Sequence, residues 1–108
     1  MKEIKNTQDF KEVIKQDKPV LLDFYADWCG PCQTLMPTLE HLSNKFKDEV
    51  VIAKVNVDTN TDLSAHFKVR SIPSLFFIKD GTIVDYLNGL QTQQTLEAKI
   101  KSLKQQAA

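Results

Sequence analysis

The chain has 108 residues, a length typical of one domain that can pack a core without disulfide or metal cross-links. Its 14 basic and 14 acidic side chains give a formal net charge of +0, which argues against nucleic-acid or membrane-surface partners, since both need a basic excess. No apolar run approaches the roughly 20 residues of a membrane span, and the amino-terminal segment MKEIKNTQDF lacks a signal peptide's apolar stretch, so we expect a single cytoplasmic domain over 1–108.

Strand and helix periodicities alternate along the chain, with no linker or repeat between them. Apolar residues recur either in short runs of strand length or at helical spacing. The predicted elements, in chain order, are a strand at 2–4, a helix at 7–16, a strand at 20–25, a helix at 32–46, a strand at 50–57, a short helix at 62–67, strands at 74–79 and 83–87, and a helix at 92–104.

Single residues are expected to define the ends and bends of these elements. Thr7 is a plausible cap for the first helix, and Pro37 should kink the second helix without ending it. Asp80-Gly81 is a hairpin turn sequence. In the last helix, Leu96, Ile100 and Leu103 should face the core, and a Glu97–Lys101 pair should face outward.

The order of elements predicts an α/β fold. Strand–helix–strand units favour parallel strands joined by right-handed crossovers, and the hairpin adds an antiparallel edge. We therefore expect a central mixed sheet, mostly parallel, with helices on its faces.

Two residues separate the two cysteines of the segment WCGPC, residues 28–32. The segment lies between a buried strand and a helix, where unpaired backbone N–H groups favour a sulfur anion. We expect Cys29 to be exposed and to attack a substrate disulfide. Cys32, one helical turn later, should be more buried and should resolve the mixed disulfide.

Two other interpretations of the cysteine pair are weaker. A zinc site could recruit His41 and His66, but the usual spacing between histidine ligands is absent. A purely structural disulfide between Cys29 and Cys32 would close too short a loop to constrain the unfolded chain strongly.

Asp23 is a carboxylate inside the apolar run VLLDFY. Burial should raise its pKa well above the usual value of about 3.9, which suits a general base that takes the proton of Cys32. The alternative is a solvent-facing aspartate at the sheet edge. Lys54, in the middle of the next strand, is either the counter-charge of Asp23 or a solvent-facing lysine.

The residues taken together resemble the thioredoxin family over essentially the whole chain. The most specific matches are the segments 23–32, 53–58 and 72–74, with Pro37 and Gly89. The resemblance implies the thioredoxin fold, a nucleophilic Cys29, a resolving Cys32, and Asp23 and Lys54 as the family's buried acid and its partner. It also implies a cis bond before Pro73, whereas the residues alone favour trans.

The resemblance further implies a docking surface and a redox partner. The implied docking residues are Trp28, Gly30, Pro31, Ile72, Pro73 and Gly89, although Trp28 could serve packing alone. The implied electron source is an NADPH-dependent flavoprotein, thioredoxin reductase. The implied substrates are disulfide-containing proteins, reduced by a monomer whose redox centre is the Cys29–Cys32 disulfide, with no other cofactor.

The chain departs from the family pattern at three positions. Tyr25 stands where many members have tryptophan, Ser71 where some have glycine, and Asn88 where a small apolar residue is frequent.

The same fold could serve a thiol oxidase or isomerase. It could also serve a non-enzymatic subunit that holds a partner on its apolar rim.

Overall fold

All of the predicted elements are present in the computed structural model, which describes residues 1–105. Most of the predicted ends differ from the observed ends by one or two residues. The elements are β1 (Lys2–Ile4), α1 (Thr7–Lys15), β2 (Val20–Tyr25), α2 (Gly30–Lys45), β3 (Val51–Asn56), α3 (Thr61–His66), β4 (Ser74–Lys79), β5 (Thr82–Asn88) and α4 (Gln93–Gln105).

The described strands form one sheet in the order β1-β3-β2-β4-β5. β1 and β2 each pair in parallel with β3, whereas β4 pairs antiparallel with β2 and β5 antiparallel with β4. The predicted mixed sheet with an antiparallel hairpin edge is confirmed. The prediction that the sheet is mostly parallel is wrong. Two of the four described strand pairings are antiparallel, because β4 lies beside β2 and runs in the opposite direction.

β2 is buried along its whole length, as its apolar run predicted. Successive side chains of a strand point to opposite faces. Leu21 therefore packs in the cluster built with α2 and α4, while Leu22 and Phe24 pack in the cluster that includes residues of α1 and α3. Asp23 follows the alternation of Leu21, so its side chain belongs to the α2 face of the sheet.

The helix starts differ from two of the predictions. Asn6, not Thr7, caps α1: its backbone is extended and its side-chain oxygen accepts the N–H of Asp9 at 2.9 Å. The second long helix begins at Gly30, two residues earlier than predicted, because Cys29 caps it. α2 then continues through Pro37, as predicted.

The β4–β5 hairpin forms the antiparallel edge of the sheet, and α4 packs on the same face of the sheet as α2. Asp80 and Gly81 have φ of 52° and 76°, the positive values that a tight hairpin turn requires. The three inward apolar residues of α4 are at most 2% exposed. Glu97 accepts from Lys45 of α2 at 2.8 Å, because the two helices pack on the same face. Hydrogen bonds from Lys45 and Gln93, together with the positive charge of Lys101, hold the pKa of Glu97 below its usual value, so a contact between helices adds to the predicted Glu97–Lys101 interaction.

Removing the side chain of Leu39 from the α2 face should lower the free energy of unfolding by about 2–5 kcal/mol, because the side chain is fully buried. The variant is Leu39→Ala, measured by urea unfolding. Leu90→Ala is the matched control: Leu90 is 53% exposed, so its effect should stay within about 0.5 kcal/mol. Equal losses in the two variants would contradict the packing described above.

Candidate functional site

The cysteine pair lies where the central strand passes into a helix. β2 ends at Tyr25, Cys29 is the N-cap of α2, and Cys32 lies in the first turn of that helix. The two cysteines form a disulfide, with Cα atoms 5.3 Å apart. The structure therefore represents the oxidised form of a dithiol pair.

The backbone at the start of α2 is directed at the sulfur of Cys29. The Cys32 backbone N–H donates to Cys29 Sγ at 3.2 Å, so the sulfur occupies the position of a side-chain N-cap acceptor. The first N–H groups of a helix have no partner within the helix and carry a partial positive charge. An anion on Cys29 would be stabilised by the same N–H groups once the disulfide is reduced.

Burial of the pair differs from the sequence prediction. Cys32 is 0% exposed, as expected of the more buried thiol, but Cys29 is also buried, at 5% exposed. Its sulfur lies 3.9 Å from the carbonyl oxygen of Ile72, and the pair packs against Met36, Val57 and Ile72. These neighbours cover the disulfide, so the expectation of an exposed Cys29 is wrong for the oxidised form.

The loop before β4 borders the disulfide. The Ile72–Pro73 bond is cis, as the family resemblance implied and contrary to the trans bond that the residues alone favoured. The Gly89 N–H donates to the carbonyl of Pro73 at 2.8 Å, which fixes the end of β5 to this loop. Pro73 itself is buried, and Ile72 is partly exposed.

An exposed apolar surface surrounds the pair. The Trp28 side chain is 71% exposed, and its ring N–H donates to Asp58 at 2.9 Å. Trp28 and Ile72 are among the residues that line a groove of about 190 Å³. Gly30 and Pro31 are exposed on the first turn of α2. The six implied docking residues lie at the start of α2, in the loop before β4 and directly after β5, with Pro73 buried beneath the surface.

Asp23 is fully buried, which excludes a solvent-facing aspartate at the sheet edge. Within residues 1–105, neither carboxyl oxygen has a hydrogen-bond partner. Loss of hydration raises the pKa of Asp23 from 3.8 to about 7, and the positive charge of Lys54 opposes the rise. The predicted burial and raised pKa are both present.

Lys54 lies directly opposite Asp23 in the β2–β3 register. Its ammonium nevertheless forms an ion pair with Glu3, at 3.6 Å, and lies 5.4 Å from the centre of the Tyr25 ring. The side chain of Lys54 is 24% exposed. Lys54 thus influences Asp23 through its charge, while its ion-pair contact is to a carboxylate on β1.

Sequence reasoning missed Glu3 and the hydroxyl of Tyr25. The Tyr25 hydroxyl donates to Glu3 Oε2 at 3.0 Å, and the third member of the group is Lys54. A charged residue alternating with apolar Ile4 in β1 indicates only that Glu3 faces away from the α1 side of the sheet. The sequence offers no sign of which strand lies beside β1.

Two of the departures from the family pattern contact each other. The Asn88 amide donates to Ser71 Oγ at 2.8 Å and to the Tyr86 hydroxyl at 3.0 Å. Ser74 also donates to the carbonyl of Ser71, at 2.6 Å. The polar residues at positions 71 and 88 therefore join the loop before β4 to β5.

Residues 1–105 contain neither a candidate metal site nor a candidate membrane span. No three His, Cys, Asp or Glu side chains in that range are grouped as a metal site would need, and no helix there is long and apolar enough to cross a membrane. His41 and His66 are exposed on different helices. Nothing in the described residues supports the zinc alternative.

A disulfide at the start of a helix, at the carboxyl end of the central strand of a mixed sheet, defines a thiol–disulfide oxidoreductase. The thioredoxin family model matches residues 2–102. Thioredoxin from Alicyclobacillus acidocaldarius is 42% identical over 97 residues, which cover 90% of this chain and 92% of that protein.

Mouse mitochondrial thioredoxin is 40% identical over 93% of this chain, which spans 61% of the mouse protein. The solved structure of a mutant thioredoxin from Halobacterium salinarum matches with a TM-score of 0.90 and 34% identity, covering 99% of this chain and 93% of that chain. The chain belongs to the thioredoxin family, and its activity is thiol–disulfide reduction.

Replacing Asp23 by Asn should make the free energy of unfolding less sensitive to pH. The native pKa of Asp23 is about 7 against 3.8 for the unperturbed group. The protonated carboxyl therefore makes its full contribution to the free energy of unfolding below the pKa of Asp23 in the unfolded chain. That contribution is lost as the pH rises through the pKa of Asp23 in the folded protein. Between about pH 4 and about pH 8, the free energy of unfolding of the variant should therefore rise relative to that of the parent by up to roughly 4 kcal/mol.

Urea unfolding of the oxidised proteins at the two pH values measures this difference. Asp17→Asn is the control, because Asp17 is exposed in the loop between α1 and β2. Its difference from the parent should be the same at both pH values. A pH-independent difference for Asp23→Asn would show that the native carboxyl titrates normally.

Proposed function

We propose that Cys29 is the nucleophile and Cys32 the resolving thiol in the reduction of protein disulfides. The observation that carries the proposal is the position of Cys29 Sγ as the side-chain cap of α2, where it accepts the Cys32 N–H. The other cysteine is one turn into the helix and fully buried. Cys29 therefore combines a cap position that stabilises an anion with the small exposure of the pair, 5% against 0% for Cys32.

The cycle has two exchanges. The Cys29 thiolate attacks one sulfur of a substrate disulfide, which forms a mixed disulfide and releases the other substrate sulfur as a thiolate that takes up a proton. The Cys32 thiolate then attacks the Cys29 sulfur and releases the second substrate thiolate. The substrate gains two electrons, and the protein ends as the Cys29–Cys32 disulfide, the form seen in this structure.

Asp23 is proposed as the base that removes the proton of Cys32 before the second exchange. Its side chain belongs to the sheet face that α2 covers, and its oxygens lack hydrogen-bond partners within residues 1–105. A pKa of about 7 lets the carboxyl accept and release a proton near neutral pH. Lys54, its register neighbour, is proposed to favour the ionised form through its charge.

Target proteins are proposed to dock across the surface of Trp28, Gly30, Pro31, Ile72, Pro73 and Gly89. The groove beside Trp28 offers apolar area next to the disulfide. An extended substrate segment could pair with the backbone of Ile72, whose carbonyl lies 3.9 Å from the sulfur of Cys29. Backbone pairing would accept many sequences, as a general reductant requires.

Family membership supports a proposal for the wider role. We propose that an NADPH-dependent thioredoxin reductase regenerates the dithiol, that the redox-active disulfide is the sole cofactor, and that the protein works as a cytoplasmic monomer in electron transport. We also propose that residues 1–108 form one domain, since the family model spans residues 2–102 and helices cover both faces of a single sheet.

Serine substitutions separate the two cysteine roles. With NADPH and a thioredoxin reductase, the parent should reduce insulin disulfides, and both Cys29→Ser and Cys32→Ser should fail. Only Cys32→Ser should accumulate a stable mixed disulfide with a target, because it keeps the nucleophile and lacks the resolving thiol. Mass spectrometry of trapped species measures this. Trapping by Cys29→Ser would reverse the assignment.

Asp23→Asn should slow the second exchange near neutral pH by roughly 100-fold, the lower end of what general-base catalysis contributes. Stopped-flow release of the second thiol from a chromophoric aromatic disulfide measures the step. The first exchange, which needs only the Cys29 thiolate, should change little, and Asp17→Asn should leave both phases unchanged. A second phase at the parent rate would remove Asp23 from the mechanism.

A further inference from the structure

Three charged side chains form a row across adjacent strands. Glu3 of β1 is paired with Lys54 of β3, and Lys54 is paired with Asp23 of β2. Residues opposite each other on neighbouring strands project to the same face of a sheet. The row therefore runs carboxylate, ammonium, carboxyl on the α2 face, from the outer strand to the buried centre.

The outer carboxylate holds the ammonium. Lys54 Nζ lies 3.6 Å from Glu3 Oε1, and the hydroxyl of Tyr25 donates to both oxygens of Glu3, at 3.2 and 3.0 Å. Burial, and then the hydrogen bond to Glu3, raise the pKa of Tyr25 to about 12. Tyr25 therefore remains a neutral donor over the working pH range. It keeps the Glu3 carboxylate at the ring over which Lys54 lies.

Because Glu3 holds the Lys54 ammonium, that ammonium stabilises the ionised form of Asp23 less than an unpaired ammonium would. Asp23 has no hydrogen bond within the described part of the chain, from Lys54 or any other donor. An ammonium free of Glu3 would have Asp23 as its closest acidic partner in the row. Full attraction from such a neighbour would strongly favour the ionised carboxyl.

We propose that Glu3 is a positioning residue that holds the Lys54 ammonium toward the sheet edge and offsets its charge, so that Asp23 keeps its proton to a higher pH. The consequence for catalysis rests on the proposed role of Asp23 as base. With Glu3 in place, the carboxyl can take a proton from Cys32 near neutral pH. Without it, Asp23 would have a lower pKa and would be a weaker base toward the proton of Cys32.

Glu3 and Lys54 are the charged residues in the strand register row of Asp23. On β4 the residue opposite Asp23 is the apolar Leu75, and the residues of α4 that pack on this face are apolar. In the oxidised protein the cysteines of α2 form a disulfide and do not titrate. The titratable and charged groups on this side include Glu3 of β1, Lys54 of β3, Tyr25 of β2 and Asp27 in the following loop. They also include the Met1 ammonium, which packs against the same face and pairs with Glu40 of α2 at 3.6 Å.

The test titrates the Asp23 carboxyl carbon by NMR in the oxidised protein, where no thiol couples to it. Glu3→Gln should lower the pKa of Asp23 by about one unit, the lower end of the effect of a nearby charge. Glu49→Gln is the matched control, because Glu49 is 41% exposed and pairs with Lys104 at 2.8 Å in another part of the molecule. It should leave the titration unchanged.

A double-variant cycle tests whether Glu3 acts through Lys54. Lys54→Gln should raise the pKa of Asp23, and adding Glu3→Gln to it should then have less than half of its single effect. An unchanged or raised pKa in Glu3→Gln, or the same shift with and without Lys54, would overturn the proposal. A merely structural role for Glu3 would lower stability without moving this titration.

The rate of the second exchange separates this proposal from the proposed function. If both hold, Glu3→Gln shifts the pH profile of that step downward by the amount that the carboxyl titration shifts. A shifted titration with an unshifted rate profile would support Glu3's control of Asp23 and would refute Asp23 as the base. If Asp23 titrates in Glu3→Gln as it does in the parent, and the second exchange is slow in Asp23→Asn, then Glu3 does not control the pKa of Asp23. The role of Asp23 as the base would still be supported.

Discussion

Burial of β2 on both faces is the constraint on which the rest of the site depends. It removes Asp23 from bulk solvent, and a buried carboxyl with no hydrogen-bond donor among residues 1–105 retains its proton to an unusually high pH. The same strand ends just before Cys29, so the chain leaves the core at the start of α2. One element thereby sets the ionisation of an acid and the location of the redox pair.

The disulfide is surrounded by segments that are distant in the chain. The loop carrying Ile72 and Pro73 lies against Cys29, and Gly89 at the end of β5 is hydrogen-bonded to that loop. Asn88 and Ser71 add a side-chain link between the same two segments. The polar residues at these two positions thus hydrogen-bond to each other, next to the groove that Ser71 helps to line.

Local signals predicted the elements well and their ends less well. The order of strands and helices follows from the spacing of apolar residues, which each segment carries itself. The N-caps were harder: Asn6 and Thr7 are both good capping residues, and only the backbone at Asn6 decides between them. The exposure of Cys29 was overestimated because the covering residues, Val57 and Ile72 among them, come from other elements.

The sequence by itself determined the α/β class, the buried strand with Asp23 inside it, and a cysteine pair at a helix start, since these depend on periodicity and on neighbours along the chain. Tertiary structure alone decided that Lys54 pairs with Glu3 while lying opposite Asp23. It also decided the antiparallel placement of β4 beside β2. Both depend on which strands become neighbours, and that choice is made by packing among residues far apart in the chain, where local patterns carry no information.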